Sequence, residues 1–147
     1  MDYLPIFAKL EGRACLVVGA GEVAWRKTRM LMKAGAAVTI VAPDADHEVI
    51  EAAENGELVW LKEGFKPEHL DNVFLVIAAT DNPLVNELVS KAADKRRVLA
   101  NVVDDTPKCS FIVPSIVDRS PIVIAISSAG KSPVLARLIR EKLETRC

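Results

Sequence analysis

Residues 14–35 read ACLVVGAGEVAWRKTRMLMKAG, and the succession of residue types in this stretch decides the fold. Ala14 to Val18 is a short apolar run, the pattern of a strand buried on both faces. Glycines at 19 and 21 break it. From Val23 to Ala34 the apolar positions take a helical period, and Gly35 closes the helix. Strand, turn, helix and stop follow within one short segment.

The same unit recurs downstream. Ala37 to Val41 is a β-branched run that ends in Pro43-Asp44 and passes into a helical stretch closing near Asn55-Gly56. Glu57 to Leu61 is a weaker strand, Val73 to Ala78 a strong one, Pro83 to Lys95 a helix and Val98 to Val103 a further strand. Strands separated by helices of this length predict an α/β fold, a doubly wound parallel sheet with helices on both faces, over residues 1 to about 113. After Pro114 the character changes. Ile122 to Ile126 predicts one strand and Pro133 to about Glu144 one basic helix, with Arg137, Arg140 and Lys142 on it. A strand and one helix have too little surface for a core, so residues 114–147 are expected to pack as an appendage on the first domain or on a second subunit.

Composition bounds the function class. The 147 residues are half apolar and 27% charged, with a formal net charge of −1, which gives no reason to expect nucleic acid. No apolar run reaches the ~18 residues needed to span a bilayer, and the start, MDYLPIFAKLEGR, lacks the basic-then-apolar order of a signal peptide, so a cytoplasmic protein is expected. Cys15, Cys109 and Cys147 have no C-x-x-C spacing and indicate neither a disulfide framework nor a zinc knuckle. His47 and His69 lie in polar surroundings without ligand-spaced partners and are expected to be solvated; no metal site is predicted.

Gly19-Ala-Gly21-Glu-Val-Ala24 is G-x-G-x-x-A, placed between a strand and a helix. In that context Gly19 makes the tight turn, Gly21 lets backbone approach a pyrophosphate, and Ala24 lets helix and strand pack closely. Glu22 and Val23 open the helix, whose free N–H groups and dipole favour phosphate. Asp44 stands 23 residues beyond Gly21, next to Pro43, where a carboxylate bonds ribose hydroxyls; with no adjacent arginine it favours NAD over NADP. The competing reading of Asp44 is a helix N-cap. Thr80 and Asp81 end another strand and either line the cofactor crevice or, for Asp81, cap the next helix. Arg26, Lys27 and Arg29 form either a solvated face or a steering patch for substrate or phosphate.

The tail carries an incomplete phosphate loop. Gly130-Lys131-Ser132 fits the end of G-x-x-x-x-G-K-[ST], but the first glycine position holds Ala125.

With these residues in view the chain resembles the precorrin-2 dehydrogenase domain found at the N-terminus of siroheme synthase and in single-function relatives. The resemblance runs through LPIFAKLEGRACLVVGAGEVAWRK (residues 4–27), VFLVIAATDNPLVN (73–86), NVVDD (101–105) and CSFIVPSIVDRSPIVIAISSAGKSPVLARLIREKLE (109–144). The last two segments are the specific ones. The family implies a Rossmann-like domain, NAD-dependent oxidation of precorrin-2 to sirohydrochlorin, and in some members a second activity that inserts iron. It also implies a homodimer built by the segment after the first domain. Relatives continue beyond the position of Cys147 with a further helical region, and a methyltransferase part belongs to the bifunctional synthases. A tetrapyrrole ringed with carboxylates needs anion holders not shaped for a triphosphate, and Ser127, Ser128, Gly130, Lys131 and Ser132 suit that substrate. Ser132 and Pro133 also read as the N-cap and first residue of the helix. By resemblance Asp104 is the general base; its other reading is a turn in which Asp104 or Asp105 bonds its own backbone. A competing class is a Rossmann module that senses NAD without chemistry.

Overall fold

The computed structural model describes residues 1–146; Cys147 lies outside them. Strands β1 (Ala14–Val18), β2 (Ala37–Val41), β3 (Val59–Leu61), β4 (Leu75–Ala78) and β5 (Leu99–Val102) form one sheet in the order β3-β2-β1-β4-β5, every neighbouring pair parallel. Helices α1 (Glu22–Lys33), α2 (His47–Glu54) and α3 (Pro83–Arg96) connect them, with 3-10 turns at Pro67–Leu70 and Thr106–Lys108. This is the doubly wound arrangement expected from the alternation of patterns. The continuous apolar runs are there because both faces are covered: Leu16, Val17, Val76 and Ile77 expose 1% or less.

The helix ends follow local chemistry. At the C-terminus of α1, Gly35 takes φ 84° and its N–H bonds Met32 O at 2.9 Å, while Ala36 N–H bonds Leu31 O at 3.1 Å. That paired closure needs a left-handed residue, and glycine adopts it at least cost. At the start of α3, Asn82 caps by accepting from Leu84 N–H at 2.9 Å, with Pro83 following as the first helical residue. Asp81 is not the cap.

The chain divides into two compact units. Phe7–Ser110 forms one, and Met1–Ile6 joins the other, which starts at Phe111. The second unit differs from the strand and helix expected. It contains a hairpin, β6 (Ser115–Arg119) antiparallel to β7 (Ile122–Ile126), followed by α4 (Pro133–Glu144). A lone strand would have left its backbone groups unpaired; β6 supplies the partners. Val117 and Ala136 are its buried apolar residues, whereas Ile122, Val134, Leu135, Leu138 and Ile139 are exposed.

His69 is not the solvated side chain expected. Only 11% of it is exposed: its Nδ1 accepts from Lys66 N–H at 2.9 Å, so Nε2 carries the proton and donates to Glu63 Oε1 at 2.7 Å. The histidine thereby fixes the loop after β3. His47 is exposed, with its ring 3.5 Å from Glu48.

Candidate functional site

The register of the sheet brings the candidate cofactor residues and Asp104 to one edge. Leu61, Val41, Val18, Ala78 and Val102 lie side by side in register across the five strands. The loops that leave this row are therefore neighbours: Gly19–Gly21 after β1, Pro43-Asp44 after β2, Ala79-Thr80 after β4 and Val103-Asp104 after β5. Strand order reverses between β1 and β4, and such a reversal opens a crevice at the carboxyl ends of the strands.

Two glycines of one motif have different causes. Gly19 has φ 116°, and a Cβ built on it would stand 2.4 Å from Ala79 O. The turn and the close approach of β4 require glycine there. Gly21 has φ −88°, and a Cβ on it would meet nothing within 4 Å. No protein atom forbids a side chain at Gly21, so the space above it is free for a ligand. Gly21 is also the N-cap of α1 and offers no side chain to the first-turn amides; the helix's bonding starts with Trp25 N–H to Gly21 O at 2.9 Å. The N–H groups of Glu22 and Val23 face the same end, and a pyrophosphate fits donors of this kind.

The β2 loop is tied to the glycine turn by Gly19 N–H to Val41 O at 3.0 Å and Asp46 N–H to Ala20 O at 3.0 Å. Trp60 Nε1 donates to Ala42 O at 3.0 Å and steadies the same loop from β3. Asp44 and Pro43 are exposed, and the N-cap of α2 is Asp46. The capping reading of Asp44 is thus removed, and its carboxylate has no hydrogen bond or ion pair among the described residues. Thr80 is spent differently. Its hydroxyl meets Asn86 Oδ1 at 2.8 Å and Asn82 O at 3.1 Å and accepts from Asn82 N–H, while Asn86 Nδ2 donates to Thr80 O at 3.0 Å. Thr80 holds the β4–α3 loop in shape and keeps no unused proton. Nothing in the sequence pattern marked Asn86 as its partner.

Asp104 follows β5 with φ 61°, a left-handed conformation that aspartate and asparagine tolerate better than most residues. Its carboxylate is exposed and bonds no backbone group; that of Asp105 is held by Lys108 Nζ at 2.7 Å. Neither carboxylate makes the backbone-bonded turn that was the alternative reading. Cys109 Sγ contacts Val102 N–H and O at 3.2 and 3.3 Å, and burial raises the thiol above its ordinary value. It closes the edge of β5 and is a poor nucleophile.

On α1 the three basic residues separate. Arg26 and Arg29 are exposed, and Arg29 lies over the Trp25 ring at 5.9 Å. Lys27 is half-buried. Burial pushes its ammonium below the ordinary lysine value, Arg26 adds to this, and Asp104 opposes it.

In the second unit, Ser128–Lys131 is a tight turn, with Ala129 and Gly130 at φ 58° and 79° and Lys131 N–H bonded to Ser128 O at 3.2 Å. Ser127 Oγ accepts from Ala129 N–H, Ser128 Oγ from Ser132 N–H, and Ser132 Oγ caps α4 through Leu135 N–H. Each hydroxyl accepts from backbone and keeps its own proton for donation. Lys131 Nζ lies 3.3 Å from Asp2 in an exposed pair.

Comparison with known proteins agrees with this architecture. Residues 6–115 match a family described as NAD(P)-binding, and residues 119–146 match the central part of sirohaem biosynthesis proteins. The siroheme synthase of Photobacterium profundum is 60% identical over 144 residues, covering 98% of this chain and 31% of that protein. That of Photorhabdus laumondii is also 60% identical, with the same coverage. The chain thus spans about a third of the length of these curated relatives. The solved structure of SirC, a precorrin-2 dehydrogenase, superposes with a TM-score of 0.85 at 32% identity, covering 99% of this chain and 71% of that one. Taken with the glycine turn and the parallel sheet, these matches place the chain in the NAD-binding precorrin-2 dehydrogenase family to which the corresponding part of siroheme synthase also belongs.

Proposed function

We propose that the chain oxidises precorrin-2 to sirohydrochlorin with NAD as a cytoplasmic homodimer, and that Asp104 takes up the proton. The observation that carries this reading is the Asp104 carboxylate, exposed and without an ion pair at the same sheet edge as the open glycine turn. Membership of the family and the name of the SirC relative supply the substrate.

Bound NAD supplies the hydride acceptor. The chain supplies orientation and a place for the proton. Amides at the start of α1 hold the pyrophosphate, Asp44 accepts from ribose hydroxyls, and Thr80, through Asn86, keeps the β4 loop clear of the crevice. Substrate carboxylates are held by the O–H groups of Ser127, Ser128 and Ser132 and by Lys131, with Gly130 allowing the turn. As hydride leaves the substrate, a ring proton must go as well, and an ionised carboxylate in reach accepts it. A sensor of NAD alone has no use for such an anion loop. The homodimer reading is supported by the second unit itself. Val134, Leu135, Leu138 and Ile139 place an exposed apolar face on α4, the kind of surface a second subunit covers. No helix among the described residues is long and apolar enough to cross a membrane.

Asp104→Asn tests the assignment. Asparagine keeps the size and suits the left-handed backbone, so the fold and NAD binding should survive while turnover falls by roughly 10²–10⁴. Any iron-insertion rate should fall with it, because pyrrole protons must then also be removed. A stable variant that retains more than about a tenth of the parent rate removes Asp104 from the base role.

A further inference from the structure

Trp60 sits in the middle of β3, the edge strand beside β2, and its register partner there is Ile40. Its indole reaches past that partner to the loop beyond β2 and donates from Nε1 to Ala42 O at 3.0 Å. A half-buried indole N–H usually finds an acceptor, and such a bond by itself is packing. Which carbonyl it takes is what matters. Ala42 is the last residue before Pro43-Asp44, and its own N–H bonds Leu61 O at 3.2 Å, so β3 grips both polar groups of this residue. Beyond Asp44 the chain is caught again by Asp46 N–H on Ala20 O at 3.0 Å, in the glycine turn. Only Pro43, Asp44 and Ala45 lie between the two anchors, and the proline ring fixes one of their backbone angles. The Asp44 carboxylate is exposed and has no partner among the described residues, so this short anchored span decides where it stands. All of these groups belong to the Phe7–Ser110 unit.

We propose that Trp60 is a positioning residue for the cofactor: its bond to Ala42 O holds the Asp44 carboxylate where it accepts from the ribose hydroxyls of NAD and repels a 2′-phosphate. Trp60 thereby favours NAD over NADP without touching either. A loop released from β3 lets the carboxylate swing aside, which weakens its bonds to the ribose and makes room for the extra phosphate. The inference rests on the NAD reading of Asp44 above and extends it to a residue of the neighbouring strand.

The test measures NAD and NADP affinities by calorimetry for the parent chain, Trp60→Phe, Asp44→Ala and the double variant. Phenylalanine fills most of the indole's space and lacks the N–H donor. Trp60→Leu lacks it too, and replaces the first variant if urea melts show that one unfolded. Trp60→Phe should bind NAD about fivefold more weakly while NADP affinity holds or rises, so that the NAD-to-NADP ratio narrows by at least that factor. Both affinities are taken on the same protein, so a general loss of stability does not move their ratio. In the Asp44→Ala background the same substitution should change the ratio less than about twofold, because the group it positions is gone. A parental ratio in Trp60→Phe overturns the proposal, as does an equal loss of both nucleotides, the mark of a merely structural role. So does an undiminished effect in the Asp44→Ala background. If Asp44→Ala itself keeps the parental ratio, the ribose reading of Asp44 falls and the role of Trp60 falls with it; if only Trp60→Phe keeps it, Trp60 alone is excluded.

Discussion

Replacing Gly19 and Gly21 in turn by alanine separates what the fold needs from what the ligand needs. At Gly19 the backbone has φ 116°, which costs an L-residue about 1–3 kcal/mol. The added Cβ would also sit 2.4 Å from Ala79 O and 2.9 Å from Ala79 C, both backbone atoms of the loop after β4, so relief requires strand ends to part. Together these should cost upward of about 3 kcal/mol, a large share of a small domain's stability. At Gly21, φ −88° and ψ −165° suit alanine, and no atom lies within 4 Å of the new Cβ. Reduced freedom of the unfolded chain contributes about 0.4–1 kcal/mol in favour of alanine. Loss of a preferred N-cap residue costs a similar amount, roughly 0.5–1 kcal/mol. The two nearly cancel. Urea melts should therefore show Gly19→Ala strongly destabilised and Gly21→Ala within about 1 kcal/mol of the parent. Calorimetry on Gly21→Ala should show NAD affinity reduced at least tenfold, roughly the loss of one charge-assisted hydrogen bond to the pyrophosphate. Parental NAD affinity in a stable Gly21→Ala protein, or a Gly19→Ala protein as stable as the parent, refutes this division.

Asp44→Ala removes an exposed carboxylate without partners, so stability should stay within about 0.5 kcal/mol while NAD binding weakens by about 1.5–3 kcal/mol and the preference over NADP narrows; calorimetry with both nucleotides reads the ratio. Lys131→Glu breaks an exposed pair with Asp2 that contributes at most about 1 kcal/mol, so melts should barely move, whereas sirohydrochlorin affinity should fall in a salt-sensitive way and NAD affinity should not; equal loss of both ligands would contradict the assignment. The hydrogen bond from His69, and then the charge of Lys66, hold Glu63 below the usual carboxylate range. Its contribution is therefore complete above that range and is lost as pH falls through the lowered folded value, so Glu63→Gln should flatten the acid limb of stability against pH, as melts across that limb will show.

Much of this architecture is legible in the sequence because it rests on local pattern. Buried parallel strands are written as unbroken apolar runs, and Gly35 and Pro83 mark helix ends by their backbone chemistry. What is not legible depends on partners far along the chain. Ser115–Arg119 has polar residues at both ends and becomes a strand because β7 pairs with it. His69 lies in polar sequence, yet Glu63 and Lys66 wrap it once the loop after β3 turns back. Asp and Asn cap equally well, so propensity could not choose Asp46 over Asp44 or Asn82 over Asp81. The motif already gave the two glycines different roles, the turn for Gly19 and the ligand approach for Gly21, but that Ala79 crowds Gly19 is set by β4, far along the chain. Lys27, read together with Arg26 and Arg29 as a solvated face or a steering patch, separates from them in the structure because the spacing 24, 27, 28, 31 puts it on the inward stripe.

The most direct measurement mixes the purified chain with precorrin-2 and NAD under anaerobic conditions and follows the tetrapyrrole and NADH bands together. The account predicts sirohydrochlorin and NADH appearing in equal amounts, with the rate collapsing in Asp104→Asn and persisting when exposed residues outside the site are changed. A folded, NAD-binding chain that leaves precorrin-2 unoxidised would contradict it.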